Sequence, residues 1–170
     1  MILTYRKAMD ALYLACVVLA GTSLVLISAV IPWAVYTRYV INQAASWPEP
    51  TAVLFTIVLT FFGAAACYRR RQHMNVAFFV AMLPPRLRRV ADLVAEMLVG
   101  LFAVFMVIWG TKLVEATWYN TIADFPSLSV GVTYLPIPLG GAALFLFVVE
   151  RILVGAPEVA PPADSLHATH

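Results

Sequence analysis

The side chains that could perform chemistry in this sequence do not occur at the spacing of a catalytic or metal site. The three histidines are His73, His167 and His170, and all of them lie outside the apolar stretches. A helical bundle that binds haem needs facing histidines inside the bundle, and those are missing. Cys16 and Cys67 each lie within an apolar stretch, which favours packing over a disulfide framework. The sequence therefore predicts no cofactor, no metal and no enzymatic activity.

The segment over 38–50 carries the other candidate group, formed by Arg38, Trp47 and Glu49. One interpretation is an aromatic belt at a membrane surface, with Arg38 reaching water and Glu49 placed at a helix N-terminus whose dipole favours an anion. The other is that Arg38 and Glu49 pair and fix a contact surface for a partner. The residues alone support both interpretations.

The elements that position these groups are apolar helices, because 62% of the 170 residues are hydrophobic, 12% are charged and the mean hydropathy is +0.88. A helix needs roughly 20 consecutive apolar residues to cross a bilayer. Four stretches meet or approach that length, and they predict spans over 11–37, 50–68, 93–119 and 130–149. The fold class predicted is an all-α integral membrane protein with one membrane domain over 1–154, followed by a disordered tail over 155–170.

The cations predict the orientation, because Lys and Arg near helix ends are retained on the cytoplasmic side. Arg6 and Lys7 precede the first span, and Arg151 follows the fourth. The connection between spans two and three holds six more cations, namely Arg69, Arg70, Arg71, Arg86, Arg88 and Arg89. Both chain ends are therefore expected in the cytoplasm, with these six arginines on anionic lipid headgroups.

The same connection predicts a short amphipathic helix over 76–83 that lies in the plane of the membrane surface. Pro84 and Pro85 end it, and Pro85 suits the first turn of a helix that runs directly into span three.

The middles of the four spans contain no charge, although a chain that transports by itself needs ionisable or polar groups there. Weak polar contacts are available to Thr22, Ser23 and Ser28 in span one and to Thr56 and Thr60 in span two. Such residues usually donate to a carbonyl one turn back, so packing is the favoured interpretation.

Small and cyclic residues lie near the start of span four, where Pro136, Pro138, Gly140 and Gly141 let another helix approach closely. Composition leaves open whether that helix is internal or belongs to another chain.

Over about residues 5 to 153 the order of features resembles the small membrane subunit of tripartite ATP-independent periplasmic (TRAP) transporters, the DctQ-like family. The residues that carry the resemblance are Arg38-Tyr39, Ser46-Trp47-Pro48-Glu49, Gly63, His73-Met74-Asn75-Val76, Leu83-Pro84 and the run Tyr134-Leu135-Pro136-Ile137-Pro138-Leu139-Gly140-Gly141. Family members often carry a second acid directly after the one matching Glu49, whereas Pro50 stands there in this chain, so only Glu49 is assigned a role.

The resemblance implies a bacterial inner-membrane location and two protein partners. These are a large multi-helix membrane subunit that holds the sodium and substrate sites, and a periplasmic protein that captures an organic anion. This chain would be a non-catalytic scaffold, with Arg38, Trp47, Glu49 and the start of span four as interface or structural residues. Membrane phospholipids are expected as further partners, and nucleic acid is not. The alternative is a four-helix exporter or channel that acts alone as a homo-oligomer.

Overall fold

The computed structural model describes residues 2–43, 45–70, 85–122 and 125–154. In chain order its elements are α1 (Ile2–Tyr39), α2 (Pro48–Arg69), α3 (Pro85–Thr117), β1 (Thr121–Ile122), β2 (Phe125–Ser129), α4 (Val130–Tyr134) and α5 (Pro136–Val154). Among these described residues, four helical stretches are long and apolar enough to cross a membrane, and α4 with α5 forms the fourth. The predicted number of spanning helices is thereby confirmed. The predicted surface helix over 76–83 and the predicted tail over 155–170 lie outside the described residues.

Prolines begin three of the helices, because proline lacks the N–H that the first helical turn leaves unpaired. Pro48 begins α2, Pro85 begins α3 and Pro136 begins α5. As predicted, the helix that starts at Pro85 continues into the third span without a break. The helix α1 also extends beyond the predicted span over 11–37 at both ends, and it includes Pro32.

A small antiparallel hairpin separates α3 from α4, a feature that the all-α prediction did not contain. Thr121 lies opposite Ser129 and Ile122 opposite Phe125, with a bulge between the two pairs. Ser129 then caps α4, since its hydroxyl accepts a hydrogen bond from the Gly131 N–H. The hairpin thus directs the chain from the end of α3 into the last span.

The last helix, α5, lies at the centre of the packing. The main helix contacts follow the order α1, α2, α5, α3, so that α5 lies between α2 and α3. In the most apolar window of each span, 44% of the residues are buried in the last span, against 17% in each of the other three. Phe147 and Val148 of α5 are almost completely buried, and Ala65 of α2 and Ala103 of α3 pack in the same core.

Two neighbouring glycines allow α5 to approach both of its neighbours. A Cβ atom on Gly140 would lie 2.7 Å from Cβ of Phe61 in α2, and one on Gly141 would lie 2.9 Å from Cβ of Met106 in α3. Neither distance leaves room for a methyl group. Within this chain, α2 and α3 therefore both approach the start of span four closely.

Candidate functional site

The charged side chains of the described spans occur at the two ends of the bundle. The terminal end is formed by the starts of α1 and α3 and the ends of α2 and α5. The hairpin end carries the β-hairpin together with the end of α1 and the start of α2. Between the two ends, the apolar middle of each span carries no Asp, Glu, Lys or Arg. Any site built on charge therefore lies near a membrane surface.

At the hairpin end, an ion pair joins α1 to α2. The Arg38 Nη2 atom donates to Glu49 Oε1 over 2.9 Å, and the two side chains are 56% and 72% exposed. Exposed pairs of this kind contribute about 0–1 kcal/mol to stability. The pair is therefore better suited to presenting charge at a surface than to holding the helices together.

Four exposed aromatic residues lie in the same segments as this ion pair, near the end of α1 and the start of α2. Trp33 and Tyr36 lie 6.0 Å apart between ring centroids, and both are about half exposed. Tyr39 and Trp47 are also exposed, as residues of an interfacial belt are. The pair expected in one interpretation and the exposed rings expected in the other thus occur together.

A pocket of about 280 Å³ opens beside the ion pair, between α1 and the start of α2. Its walls are mostly apolar, and both Arg38 and Glu49 line it. Pro48, which also lines it, is one of the most completely buried residues of the chain. A charged pair at the rim of an apolar pocket suits an amphiphilic ligand.

The terminal end holds a buried ion-pair cluster that the sequence analysis did not find. The Arg69 Nε and Nη2 atoms each donate to the Glu150 carboxylate over 2.9 Å, and Nη2 also donates to Asp10 Oδ1 over 2.7 Å. Arg69 and Glu150 are only 8% and 5% exposed, whereas Asp10 is 69% exposed. The rings of Tyr13 and Phe147 lie 5.5 and 5.4 Å from the guanidinium carbon. One arginine of α2 therefore joins α1 and α5.

The residue after Glu150 extends the cluster to the remaining span. Arg151 Nε lies 2.7 Å from Glu96 Oε1 of α3, and both side chains are largely buried. The Arg151 guanidinium also lies over the Tyr68 ring of α2, at 5.5 Å. Glu150 of α5 thus pairs with Arg69 of α2, and the next residue, Arg151, pairs with Glu96 of α3. The sequence does contain a signal for this cluster. Each of the four spans carries an acid or a base at the same end of the bundle, and the two kinds of charge can pair.

This geometry changes the assignment of one of the six loop arginines. The guanidinium of Arg69 is buried against Glu150, which does not favour the predicted contact with lipid headgroups. Arg70 is exposed and lies over Tyr13, with 5.2 Å between its guanidinium carbon and the ring centroid. Arg86, Arg88 and Arg89 lie in the first turns of α3, and Arg71 lies outside the described residues.

The intramembrane hydroxyls serve the helices in which they lie. Ser23 donates to Leu19 O and Ser28 to Leu24 O, while Thr56 and Thr60 each donate to the carbonyl four residues back. The packing interpretation is confirmed for these four residues, and for Thr22 it stays a prediction. Across residues 2–43, 45–70, 85–122 and 125–154, no three His, Cys, Asp or Glu side chains cluster as metal ligands would.

The chain is similar to a family of transporter subunits and to a bacterial permease protein. The family model for the DctQ component of tripartite ATP-independent periplasmic transporters matches residues 27–157. The chain is also 26% identical, over 128 residues, to the sialic acid TRAP transporter small permease protein SiaQ of Vibrio cholerae serotype O1. That alignment covers 73% of this chain and 71% of the relative.

Proposed function

This chain belongs to the DctQ component family of TRAP transporters, and from that premise we propose that it is the non-catalytic scaffold subunit of a sodium-coupled importer of organic anions. The family consists of transporter subunits rather than enzymes, and the chain is a multi-pass protein of the bacterial inner membrane. The proposed task is to anchor a large transport subunit in the bilayer while that subunit moves its substrate.

The observation that carries the scaffold role is the distribution of charge. Coupling ions and anionic substrates need charged or polar partners near the bilayer midplane, and the middles of these four spans carry no charged side chain. The hydroxyls nearest to that depth donate to their own helices. A chain built in this way can support a transport site on a neighbour without containing one.

The substrate proposed is a carboxylate or a sugar acid. The relative from Vibrio cholerae is named for sialic acid, which is an acidic sugar. Since the substrate site is expected on the partner subunits, we extend only the class of anion to this chain.

The proposed orientation places the terminal end in the cytoplasm and the hairpin end in the periplasm, as the cation distribution favours. The test is cysteine labelling in a background in which Cys16 and Cys67 are replaced by alanine. With an impermeant maleimide, Asn120→Cys at the hairpin end is expected to react in intact spheroplasts, whereas Ala8→Cys at the terminal end should react only after permeabilisation. Labelling in the opposite order would overturn the orientation.

At the hairpin end, Arg38, Trp47 and Glu49 are proposed to form part of the contact surface for the protein partners, including the periplasmic binding protein. Trp47→Ala is expected to lower recovery of the partners, with Trp33→Ala as the matched control because both indoles are partly exposed at this end. If both variants lower the recovery of the partners equally, the tryptophans act as a general aromatic belt at the membrane surface, and the proposed specific contact of Trp47 is contradicted.

At the terminal end, Arg70, Arg71, Arg86, Arg88 and Arg89 are proposed to bind anionic headgroups of the cytoplasmic leaflet. Arg69 is excluded from that set because its guanidinium is buried against Glu150. The four residues Pro136, Pro138, Gly140 and Gly141 are proposed to be structural, since the two glycines pack against α2 and α3.

The deciding experiment combines isolation from the native membrane with transport. A tagged chain is recovered in mild detergent, and mass spectrometry is expected to find one much larger polytopic protein in equal amount. Proteoliposomes that contain both, supplied with the binding protein and a sodium gradient, should take up a sialate or dicarboxylate, and omission of this chain should abolish uptake. Flux through liposomes that contain this chain alone would instead establish the homo-oligomeric exporter or channel.

A further inference from the structure

We propose that the pocket at the hairpin end is a binding site for one zwitterionic phospholipid with a primary ammonium group, of the phosphatidylethanolamine class. The pocket lies where α1 and α2 reach the membrane surface, and it carries one positive and one negative side chain at its rim. The inference concerns the isolated chain, and it does not depend on the transport function or on the orientation proposed above.

The layout of the α1 wall matches that of a phospholipid. Ile31, Ala34, Val35 and Arg38 lie on one face of α1, at positions i, i+3, i+4 and i+7, and all four line the pocket. The rise from Ile31 to Arg38 is roughly 10 Å. Along this length the side chains are apolar until the guanidinium of Arg38, just as the acyl chains of a phospholipid are apolar until the charged headgroup. Ile31 and Val35 are 49% and 51% exposed, which leaves the strip accessible from the bilayer.

The opposite wall supplies space and the second charge. Ala52 of α2 keeps the pocket open, and Glu49 stands one turn earlier on the same helix. The volume of about 280 Å³ is near the lower limit for ligand pockets, which suits a headgroup and the adjoining part of the acyl chains rather than a whole lipid.

Charge complementarity selects the headgroup. A phosphate accepts from the Arg38 guanidinium, of whose five N–H donors the pair with Glu49 uses one. An ethanolamine ammonium carries three N–H donors for the Glu49 carboxylate. The quaternary ammonium of phosphatidylcholine has no N–H to donate to Glu49, and phosphatidylglycerol has no cation. Each of these two lipids therefore satisfies Arg38 through its phosphate but makes no charge-assisted hydrogen bond to Glu49.

The test is native mass spectrometry of the delipidated chain titrated with three phospholipids that share the same acyl chains. Phosphatidylethanolamine is expected to bind as one molecule per chain and about tenfold more tightly than phosphatidylcholine, the factor that corresponds to one charge-assisted hydrogen bond. Glu49→Gln should remove this preference, and Arg38→Gln should weaken binding of all three lipids at this site. Lys7→Gln, which removes an exposed cation at the other end of α1, is the matched control and should leave phosphatidylethanolamine binding unchanged.

A second variant separates the pocket from its rim. Ala52→Leu fills the pocket and leaves both charges in place, so it should lower occupancy in the same way, while circular dichroism confirms that each variant keeps its helices. Equal binding of the three lipids by the wild type, or full retention by Arg38→Gln and Ala52→Leu, would overturn the proposal. Equal binding of phosphatidylglycerol and phosphatidylethanolamine would also overturn it, because it would show a phosphate site that ignores Glu49.

Discussion

Truncation of Arg69 to alanine is the perturbation that best tests the packing of the bundle. The substitution removes two hydrogen bonds to Glu150 and one to Asp10. Asp10 is 69% exposed and can be hydrated, but Glu150 is 5% exposed and would remain as a buried carboxylate without its partner. Removal of one member of a buried pair costs about 3–5 kcal/mol. We expect Arg69→Ala to lower the free energy of unfolding by that amount.

The assay is unfolding in mixed micelles of increasing SDS content, followed by tryptophan fluorescence. Arg38→Ala is the matched control, because it breaks a pair of similar length that is more than half exposed, and it should cost about 0–1 kcal/mol. The double variant Arg69→Ala, Glu150→Ala should be less destabilised than the sum of its single variants, since removal of both charges leaves neither buried alone. Equal costs for Arg69→Ala and Arg38→Ala would refute the reasoning, because they would mean that the terminal cluster is hydrated.

Three further substitutions test other contacts by the same unfolding assay. Gly140→Ala places a methyl group 2.7 Å from Phe61 Cβ and should cost about 1–3 kcal/mol, whereas Gly21→Ala, with nothing within 4 Å, should stabilise its helix by up to about 1 kcal/mol. Glu96→Gln removes the charge that pairs with Arg151 and should cost about 1–3 kcal/mol, between the costs of losing an exposed and a buried ion pair; no measurable loss would remove this pair from the cluster. Ser129→Ala deletes the cap of α4 and should cost about 1 kcal/mol, and an unchanged midpoint would show that the cap is dispensable.

The spanning helices could be predicted because length, hydropathy and proline placement determine them locally. The start of α3 at Pro85 followed from the chemistry of the first helical turn, and the bonds of Ser23 and Thr56 followed from the usual behaviour of hydroxyls in apolar helices. The Arg38–Glu49 pair was one of two interpretations, since both residues flank a short connection.

The terminal cluster and the central position of α5 could not be predicted by the same reasoning. Arg69 is the first of a run of arginines, and a rule that assigns such runs to the cytoplasmic surface does not distinguish the one that turns inward. Helices that are apolar on all sides give no signal for which face is buried. The order α1, α2, α5, α3 depends on shape, through the contacts of Gly140 and Gly141, and shape is not visible in a hydropathy pattern.

The position of Glu150 and Arg151 near the end of the last span has a consequence for biogenesis. The chain is synthesised from the N-terminus, so Arg69 enters the membrane with Asp10 as a partner but before Glu150 exists, and Glu96 enters before Arg151 exists. Until α5 is inserted, each holds a charge at the bilayer boundary without its α5 partner. A nascent chain interrupted before residue 150 would therefore leave Glu96 without Arg151 and Arg69 with its exposed partner Asp10 alone, so the buried half of the cluster forms only when the last span is in place.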